Sequence, residues 1–479
     1  AEYLDWYVAH SSLMADMLPV ANTQLGPGSL AAILGGVFEG GEDTIWIHPD
    51  PNFNDEIVFN PEHPNWLLHK ELLKACKAKA NGNYFVGMPD LMEGLDVLAA
   101  LKGTDMVLLD TVMQPEVLEQ QMQQINDIYF KVFDELYDII REGDEMAFCY
   151  FSSWAPGKMS KLQSDISTMI SQDDYRRFVQ PFIREQCQKI DYTLYHLDGV
   201  GAMHHLPALL EIEELNAIQW TPGVGEPQGG SPKWYDLYKK ILAGGKSVMA
   251  CWVTLEELKP LLDHIGADGV HLEMDFHNER EVEQAMRIIE EYTGSSSSVS
   301  ADVHTNQPVG EQDNAQESIR IREEKSQEED RLKPLYDAIV AGKLEPAVEV
   351  TKDAIAAGVL PQDIINGYMI TAMGEVGQRF QDGKAFVPQL LMAGRSMKGA
   401  LELLKPLLAG NASATIGKIV IGTVKGDLHD IGKNLVASML EGCGFEVINI
   451  GIDVTCDKFV EAVKENKADI LCMSALLTT

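Results

Sequence analysis

The sequence predicts an α/β protein in three parts: a TIM-type (β/α)8 barrel, a four-helix bundle and an incomplete doubly wound sheet of the flavodoxin-like kind. Three observations carry this. Short apolar runs alternate with amphipathic stretches over residues 1–292, residues 318–408 show only helical periodicity, and a βαβαβ pattern fills 415–479. Between the first two parts lies 293–317, TGSSSSVSADVHTNQPVGEQDNAQE, rich in Ser, Asn, Gln and Gly. It cannot bury enough apolar surface to fold alone and reads as a flexible linker.

In the first part the expected strands are YFVGM (84–88), DMVLLD (105–110), MAFCYF (146–151), YTLYHL (192–197), AIQW (217–220), SVMACW (247–252) and GVHLEM (269–274). Amphipathic segments such as DDYRRFVQPFIREQCQKI (173–190) separate them. Alternation over this length favours a parallel barrel. Seven strands are visible, and the eighth is either disguised in the first hundred residues or lost with a missing start, since the chain begins without Met.

In the second part EEDRLKPLYDAIVAGK and PAVEVTKDAIAAG carry apolar residues at three- and four-residue spacing, as bundle helices do. The third part reads GKIVIGTV, NLVASMLEG, EVINIG, KFVEAVKEN and DILCMSAL, the opening half of a doubly wound sheet. The pattern predicts one or two further βα units beyond Thr479.

Composition bounds the function. A length of 479 residues allows two to four domains. The formal net charge of −35 repels phosphate backbones and argues against a nucleic-acid partner. No apolar run approaches the eighteen or so residues of a membrane span, and the start AEYLDWYVAH lacks the order of a signal peptide. The seven Cys are scattered and form no CxxC pair, which suits reduced thiols in the cytoplasm.

The sharpest motif follows the first strand of the third part: Gly426-Asp427-Leu428-His429-Asp430-Ile431-Gly432, opening a helix, then Ser474-Ala475-Leu476 after a gap of 41 residues. The motif resembles the cobalamin-binding signature DxHxxG with a distant SxL. That signature is found in methionine synthase, in the small corrinoid proteins of methanogens and acetogens, and in some mutases. Cobalt takes a neutral nitrogen ligand, which the imidazole of His429 supplies. Asp427, two residues earlier, is placed to hold the other ring nitrogen and fix the tautomer. A βα loop at a strand's carboxyl end is where doubly wound folds bind ligands. Gly432 lets a cofactor tail approach the backbone. The resemblance implies that Ser474 and Thr478, flanking Leu476, contact the cofactor's nucleotide tail.

The bundle adds to this. Met373, Val376-Gly377, Phe380, Gly383-Lys384, Phe386 and Val387-Pro388-Gln389 resemble the helical cap of the same proteins. That resemblance implies that Phe380 and Val387 shield the upper corrin face; the competing reading is an ordinary bundle core.

The first part resembles the methyltransferase-like members of the uroporphyrinogen decarboxylase superfamily, and its fusion to a corrinoid module is similar to the chloromethane-utilising methyltransferases. The residues that carry this are Leu25-Gly26-Pro27-Gly28, Ser153-Trp154-Ala155-Pro156-Gly157, Tyr195-His196-Leu197-Asp198-Gly199 and Ala217-Ile218-Gln219-Trp220-Thr221-Pro222-Gly223. Thiol-methylating members carry a zinc site that begins HxC. Here Asp198 replaces that Cys, and the last strand offers Glu273 and no Cys. A zinc site of His196, Asp198 and Glu273 is chemically allowed. Alternatively, His196 and Asp198 pair with each other or bind an organic substrate directly. All three are expected at the carboxyl ends of strands, where such barrels place their chemistry. Trp154, Trp220 and Trp252 either line a pocket for an apolar or cationic methyl donor or close the barrel mouth.

The expected function is a cobalamin-dependent methyltransferase of one-carbon metabolism. The barrel handles a small methyl donor, with His196, Asp198 and Glu273 as catalytic candidates. The carrier then serves a second methyltransferase with a tetrahydrofolate-type acceptor, and a reductive activator restores the cobalt. The alternative is a non-catalytic corrinoid carrier or sensor with a degenerate barrel.

Overall fold

The computed structural model of the chain describes residues 2–10, 18–23, 28–40, 45–50, 53–151, 153–293, 326–408, 417–427, 431–442 and 445–475. The chain folds as two units, Ala1–Ser300 and Ala301–Thr479. The predicted linker lies outside the described residues except for Thr293, which ends the helix Glu279–Thr293.

The first unit holds eight strands that pair only in parallel with one another: β1 (Val20–Ala21), β2 (Phe85–Met88), β3 (Met146–Phe148), β4 (Met159–Leu162), β5 (Tyr192–Asp198), β6 (Ala217–Thr221), β7 (Ser247–Ala250) and β8 (Val270–Leu272). Their ladders form two sheets, β1-β2-β3 and β8-β7-β6-β5-β4, and not the closed ring that the sequence predicts. The reason lies at β3. Its free edge is taken by the short antiparallel strand Trp154–Ala155. The amide of Met159 at the start of β4 donates instead to the thioether sulfur of Met146 in β3, at 3.1 Å. No ladder joins β8 to β1 among the described residues.

Besides the antiparallel strands Val37–Gly40, Ile45–His48 and Trp154–Ala155, the parallel strands β1 and β4 escaped the sequence reading, and one expected strand is a helix. DMVLLD lies within the helix Thr104–Met113, which buries Val107, Leu108 and Thr111 on one face. A six-residue apolar run fits either period, and here Gly103 at φ 96° turns the chain so that its carbonyl accepts the amide of Val107. Three other expected strands stop early, MAFCYF, SVMACW and GVHLEM, leaving Cys149–Phe151, Cys251–Trp252 and Glu273 just past carboxyl ends. Helices cover the sheets. Pro115–Ile140 buries Leu118, Met122, Ile125, Tyr129, Val132, Phe133, Leu136 and Ile140, a stripe at three- and four-residue spacing. Leu255–Ile265 starts with a capping box between Thr254 and Glu257.

The second unit begins with Ser326–Val340, Leu344–Ala356, a composite helix and Val387–Leu408. The composite helix runs from Pro361–Ile364 through a wide π turn at Ile365–Met369 into Ile370–Gln381. Leu335, Ile339, Ala347, Ile364, Met369, Ala372, Met397 and Leu404 fill the space between these helices. Next come β9 (Lys418–Thr423), β10 (Glu446–Asn449) and β11 (Ile470–Ser474), all parallel, with β9 in the middle. Middle-first strand order is that of the flavodoxin-like sheet. Met439, on the helix Ile431–Gly442, packs on the bundle residues Val376, Ala385, Leu390 and Ala393. Lys398 pairs with Glu441 at 3.0 Å. Among the described residues no helix is long and apolar enough to cross a membrane.

Candidate functional site

In the second unit the two halves of the DxHxxG…SxL motif meet. Thr423 pairs with Ser474, and the amide of Val424 donates to the Ser474 carbonyl at 3.0 Å. This places β11's end beside the loop that follows β9. In that loop Gly426 has φ 85°, which only glycine adopts freely, and among the described residues nothing lies within 4 Å of where a Cβ would stand. Asp427 is 2% exposed. Leu428, His429, Asp430, Leu476 and Thr478 lie outside the described residues; Gly432 sits in the first turn of Ile431–Gly442.

Sequence reasoning missed the partner that shapes this loop. Asp453, at φ 50°, accepts the Gly426 amide on Oδ1 at 2.9 Å, and its own amide donates to the Asp427 carbonyl at 3.2 Å. It also missed Lys433, buried one turn further on, which donates to Asn449 Oδ1 at 2.9 Å and to Asn434.

On the bundle, Phe380 is 43% exposed and Val387 is buried. Phe380 follows Gly367, Ile370, Gly374 and Gly377 at helical spacing. All five are exposed, and nothing lies within 4 Å of a Cβ placed at any of these glycines. Together they form a glycine-lined exposed stripe on one side of the composite helix. A π turn beside it is a frequent mark of a functional site. Val387, at the start of Val387–Leu408, is 4% exposed.

In the first unit, polar side chains gather at the carboxyl ends of the strands. His196 and Gln219 pair in register across β5 and β6 and so share a sheet face. His196 Nδ1 hydrogen-bonds Gln219 Oε1, and His196 Nε2 lies 3.9 Å from Asp198 Oδ2. The Gln219 amide donates to Thr221 Oγ1 at 2.8 Å and to Cys251 Sγ at 3.2 Å. The Cys251 thiol meets Glu273; burial and this carboxylate push the thiol well above its ordinary range. Glu273 Oε2 is buried with no hydrogen-bond partner. Burial and the charge of Lys161 hold the His196 imidazole below its usual value.

Beside this chain lies a second group that sequence reasoning did not find. Lys161, on β4, pairs with Asp90 Oδ2 at 2.7 Å, the two side chains being 2% and 3% exposed. Burial opposes the Lys161 charge, but Asp90 and Glu93 outweigh it and raise its pKa. Burial also lifts Glu93 and Asp165 well above the carboxylate range, and Asp96 to about 6. Asp96 accepts the amides of Asp165 and Ile166 at 2.8 and 2.9 Å.

The predicted trio is thus only partly brought together. Glu273 reaches His196 through Gln219 and Cys251, not directly. Among the described residues no group of three or more His, Cys, Asp or Glu is arranged to hold a metal ion, which corrects the expectation of a zinc site. Trp220 is also corrected. Successive residues of a strand face opposite ways, so Trp220 lies on the other side from Gln219, sealed against Trp234 with ring centres 5.0 Å apart. Trp154 and Trp252 are each 41% exposed, Trp154 on the antiparallel strand and Trp252 just past β7 at φ 56°.

Comparison with known proteins assigns the second unit. Residues 331–405 and 417–479 each match a family model described as a B12 binding domain. Over 145 residues the chain is 45% identical to trimethylamine corrinoid protein 1 of Methanosarcina mazei, covering 30% of this chain and 67% of that protein. It is 43% identical over 152 residues to the dimethylamine corrinoid protein of Methanosarcina barkeri, covering 32% of this chain and 71% of that one. Among solved structures, a cobalamin-binding protein from Desulfitobacterium hafniense is 36% identical, covering 31% of this chain and 69% of that chain, with a TM-score of 0.27. Through the matched residues of its second unit the chain belongs to the corrinoid proteins, the family of the trimethylamine and dimethylamine corrinoid proteins, and cobalamin is its cofactor.

Proposed function

We propose that the chain is a cobalamin-dependent methyltransferase. Its first unit, a uroporphyrinogen decarboxylase-like methyltransferase domain, handles a small methyl donor, and its second unit carries the corrinoid. The observation that carries this reading is the run of linked polar side chains from Asp198 to Glu273 at the strand ends of a unit fused to a corrinoid carrier. Buried polar groups cost free energy unless they are paired or used, and Glu273 Oε2 is buried unpaired. The names of the corrinoid relatives favour a methylated amine as donor.

Bound cobalamin supplies a strongly nucleophilic reduced cobalt for the methyl group. His429 would supply the nitrogen ligand to that cobalt, Asp427 would hold the orientation of its ring, and Phe380 would shield the reactive metal. In the first unit Asp198, 44% exposed and beside His196, would give a proton to the heteroatom that loses its methyl group. The carrier would then present the methyl group to a second methyltransferase with a tetrahydrofolate-type acceptor, and a reductive activator would rescue oxidised cobalt. A reducing cytoplasm suits that chemistry.

The test is methyl transfer from methylated amines by the reduced, cobalamin-loaded full chain, compared with Asp198→Asn and Glu273→Gln. Transfer is expected in wild type, with a loss of about a hundredfold in each variant at unchanged melting temperature. No transfer from any methylated donor leaves the alternative, a carrier or sensor. Near-normal transfer in both variants moves the site elsewhere.

A further inference from the structure

The hydrogen bonds that cross β5 to β8 have a direction, and Glu273 sets it. A carboxylate can only accept. The Cys251 thiol, which meets Glu273, therefore spends its proton there and offers its sulfur as an acceptor. The Gln219 amide fills that role, since Nε2 donates one hydrogen to Cys251 Sγ at 3.2 Å and the other to Thr221 Oγ1 at 2.8 Å. With both amide hydrogens used, the Gln219 oxygen faces His196 Nδ1 and can only accept from it. The proton of a neutral His196 then sits on Nδ1, and the lone pair of Nε2 is left facing the rim where Asp198 stands, 3.9 Å away.

We infer that Glu273 is a positioning residue that sets the tautomer of His196 through Cys251 and Gln219, so that His196 offers an unprotonated Nε2 to the substrate as a hydrogen-bond acceptor. Gln219 is completely buried, as is Cys251, so water does not compete for these bonds. The alternative polarity, with the amide turned over and the imidazole proton on Nε2, needs the thiol to donate to Gln219 and abandons the buried Glu273 carboxylate. The ring of Phe151, tilted at 39° to the imidazole with ring centres 5.6 Å apart, closes another side and offers no competing polar group. An acceptor in this position selects a donor molecule whose reacting end carries an N–H or O–H. That last step rests on the reading of the first unit as a substrate-handling domain; the tautomer itself does not.

The experiment is nitrogen-15 NMR of the imidazole nitrogens in the full chain labelled at histidine, at neutral pH and without cobalamin or methyl donor. The His196 signals are assigned by their loss in His196→Gln. Wild type is expected to show Nδ1 protonated and Nε2 bare. Cys251→Ser, which keeps a donor and an acceptor in place, should retain that pattern. Glu273→Gln, which can donate as well as accept, and Cys251→Ala, which cuts the chain, should each lose it and shift His196 toward the Nε2-protonated form. Nε2 protonation in wild type would overturn the inference, as would an unchanged pattern in both Glu273→Gln and Cys251→Ala. Because no methyl transfer is read, a failure of the proposed reaction leaves this result untouched.

Discussion

The amide of Val424 donates to the carbonyl of Ser474 at 3.0 Å, and that bond joins two segments far apart in the chain into one edge of the sheet. The geometry rests on β9 being the middle strand, so that its loop and the end of β11 are neighbours. Asp427 is sealed in this edge, with its backbone carbonyl held by Asp453.

Asp427→Asn keeps the shape of that side chain and removes its charge. If Asp427 orients the imidazole of His429, cobalamin affinity should fall by about 10- to 100-fold, the usual effect of losing an outer partner of a metal ligand. Titration of the cobalamin-free protein, followed by the corrin absorbance, checks this. Unchanged affinity would make Asp427 a purely structural residue of the loop.

The buried Lys161–Asp90 pair predicts a stability effect. Lys161→Met leaves Asp90 charged and uncompensated where almost no water reaches. The cost should be about 3–5 kcal/mol, and Lys161→Met combined with Asp90→Asn should recover much of it. Urea unfolding of the two variants measures the difference. Equal losses in both would show that the pair is not the source.

His205 predicts a pH dependence. Its Nε2 lies 2.8 Å from the Ser167 carbonyl and donates to it, while Nδ1 is buried with no partner, so a second proton finds no acceptor. Burial is the main cause that lowers its pKa from 6.5 to about 4; the Ser167 bond opposes the shift, and His204 and Arg176 add to it. Between those values the folded state binds fewer protons than the unfolded chain, so this group's contribution is present above about pH 6.5 and lost as pH falls toward 4. The loss amounts to at most about 3 kcal/mol. Raised carboxyls such as Asp96 act in the opposite sense, so the effect is read as a difference. His205→Gln should be less sensitive than wild type in urea midpoint between pH 7 and 4.5. Parallel slopes would contradict it.

The cobalamin module was legible in the sequence because its chemistry is local. The proposed ligand, acid and glycine fall within Asp427–Gly432, and the strand–loop–helix around them has clear periodicity. The first unit was legible as alternating α/β, but not in its ladders or its site. MSKL at β4 carries Ser and Lys at positions that read as solvent, yet both are buried, Ser160 on Tyr129 and Lys161 on Asp90. Nothing local marks a lysine that will be buried by an acid from another strand's loop. The edge strand Trp154–Ala155, only two residues long, was invisible for want of any period. The same non-locality hid Gln219 and Cys251, whose importance comes only from the register that sets them between His196 and Glu273.

The central claim is that this chain holds cobalamin with His429 beneath the cobalt. The most direct measurement is electron paramagnetic resonance of the Co(II) form bound to the full chain. The account predicts splitting by a histidine nitrogen, seen when histidine is nitrogen-15 labelled, and its loss in His429→Ala. Splitting by histidine that survives His429→Ala would contradict it, as would its absence from wild type.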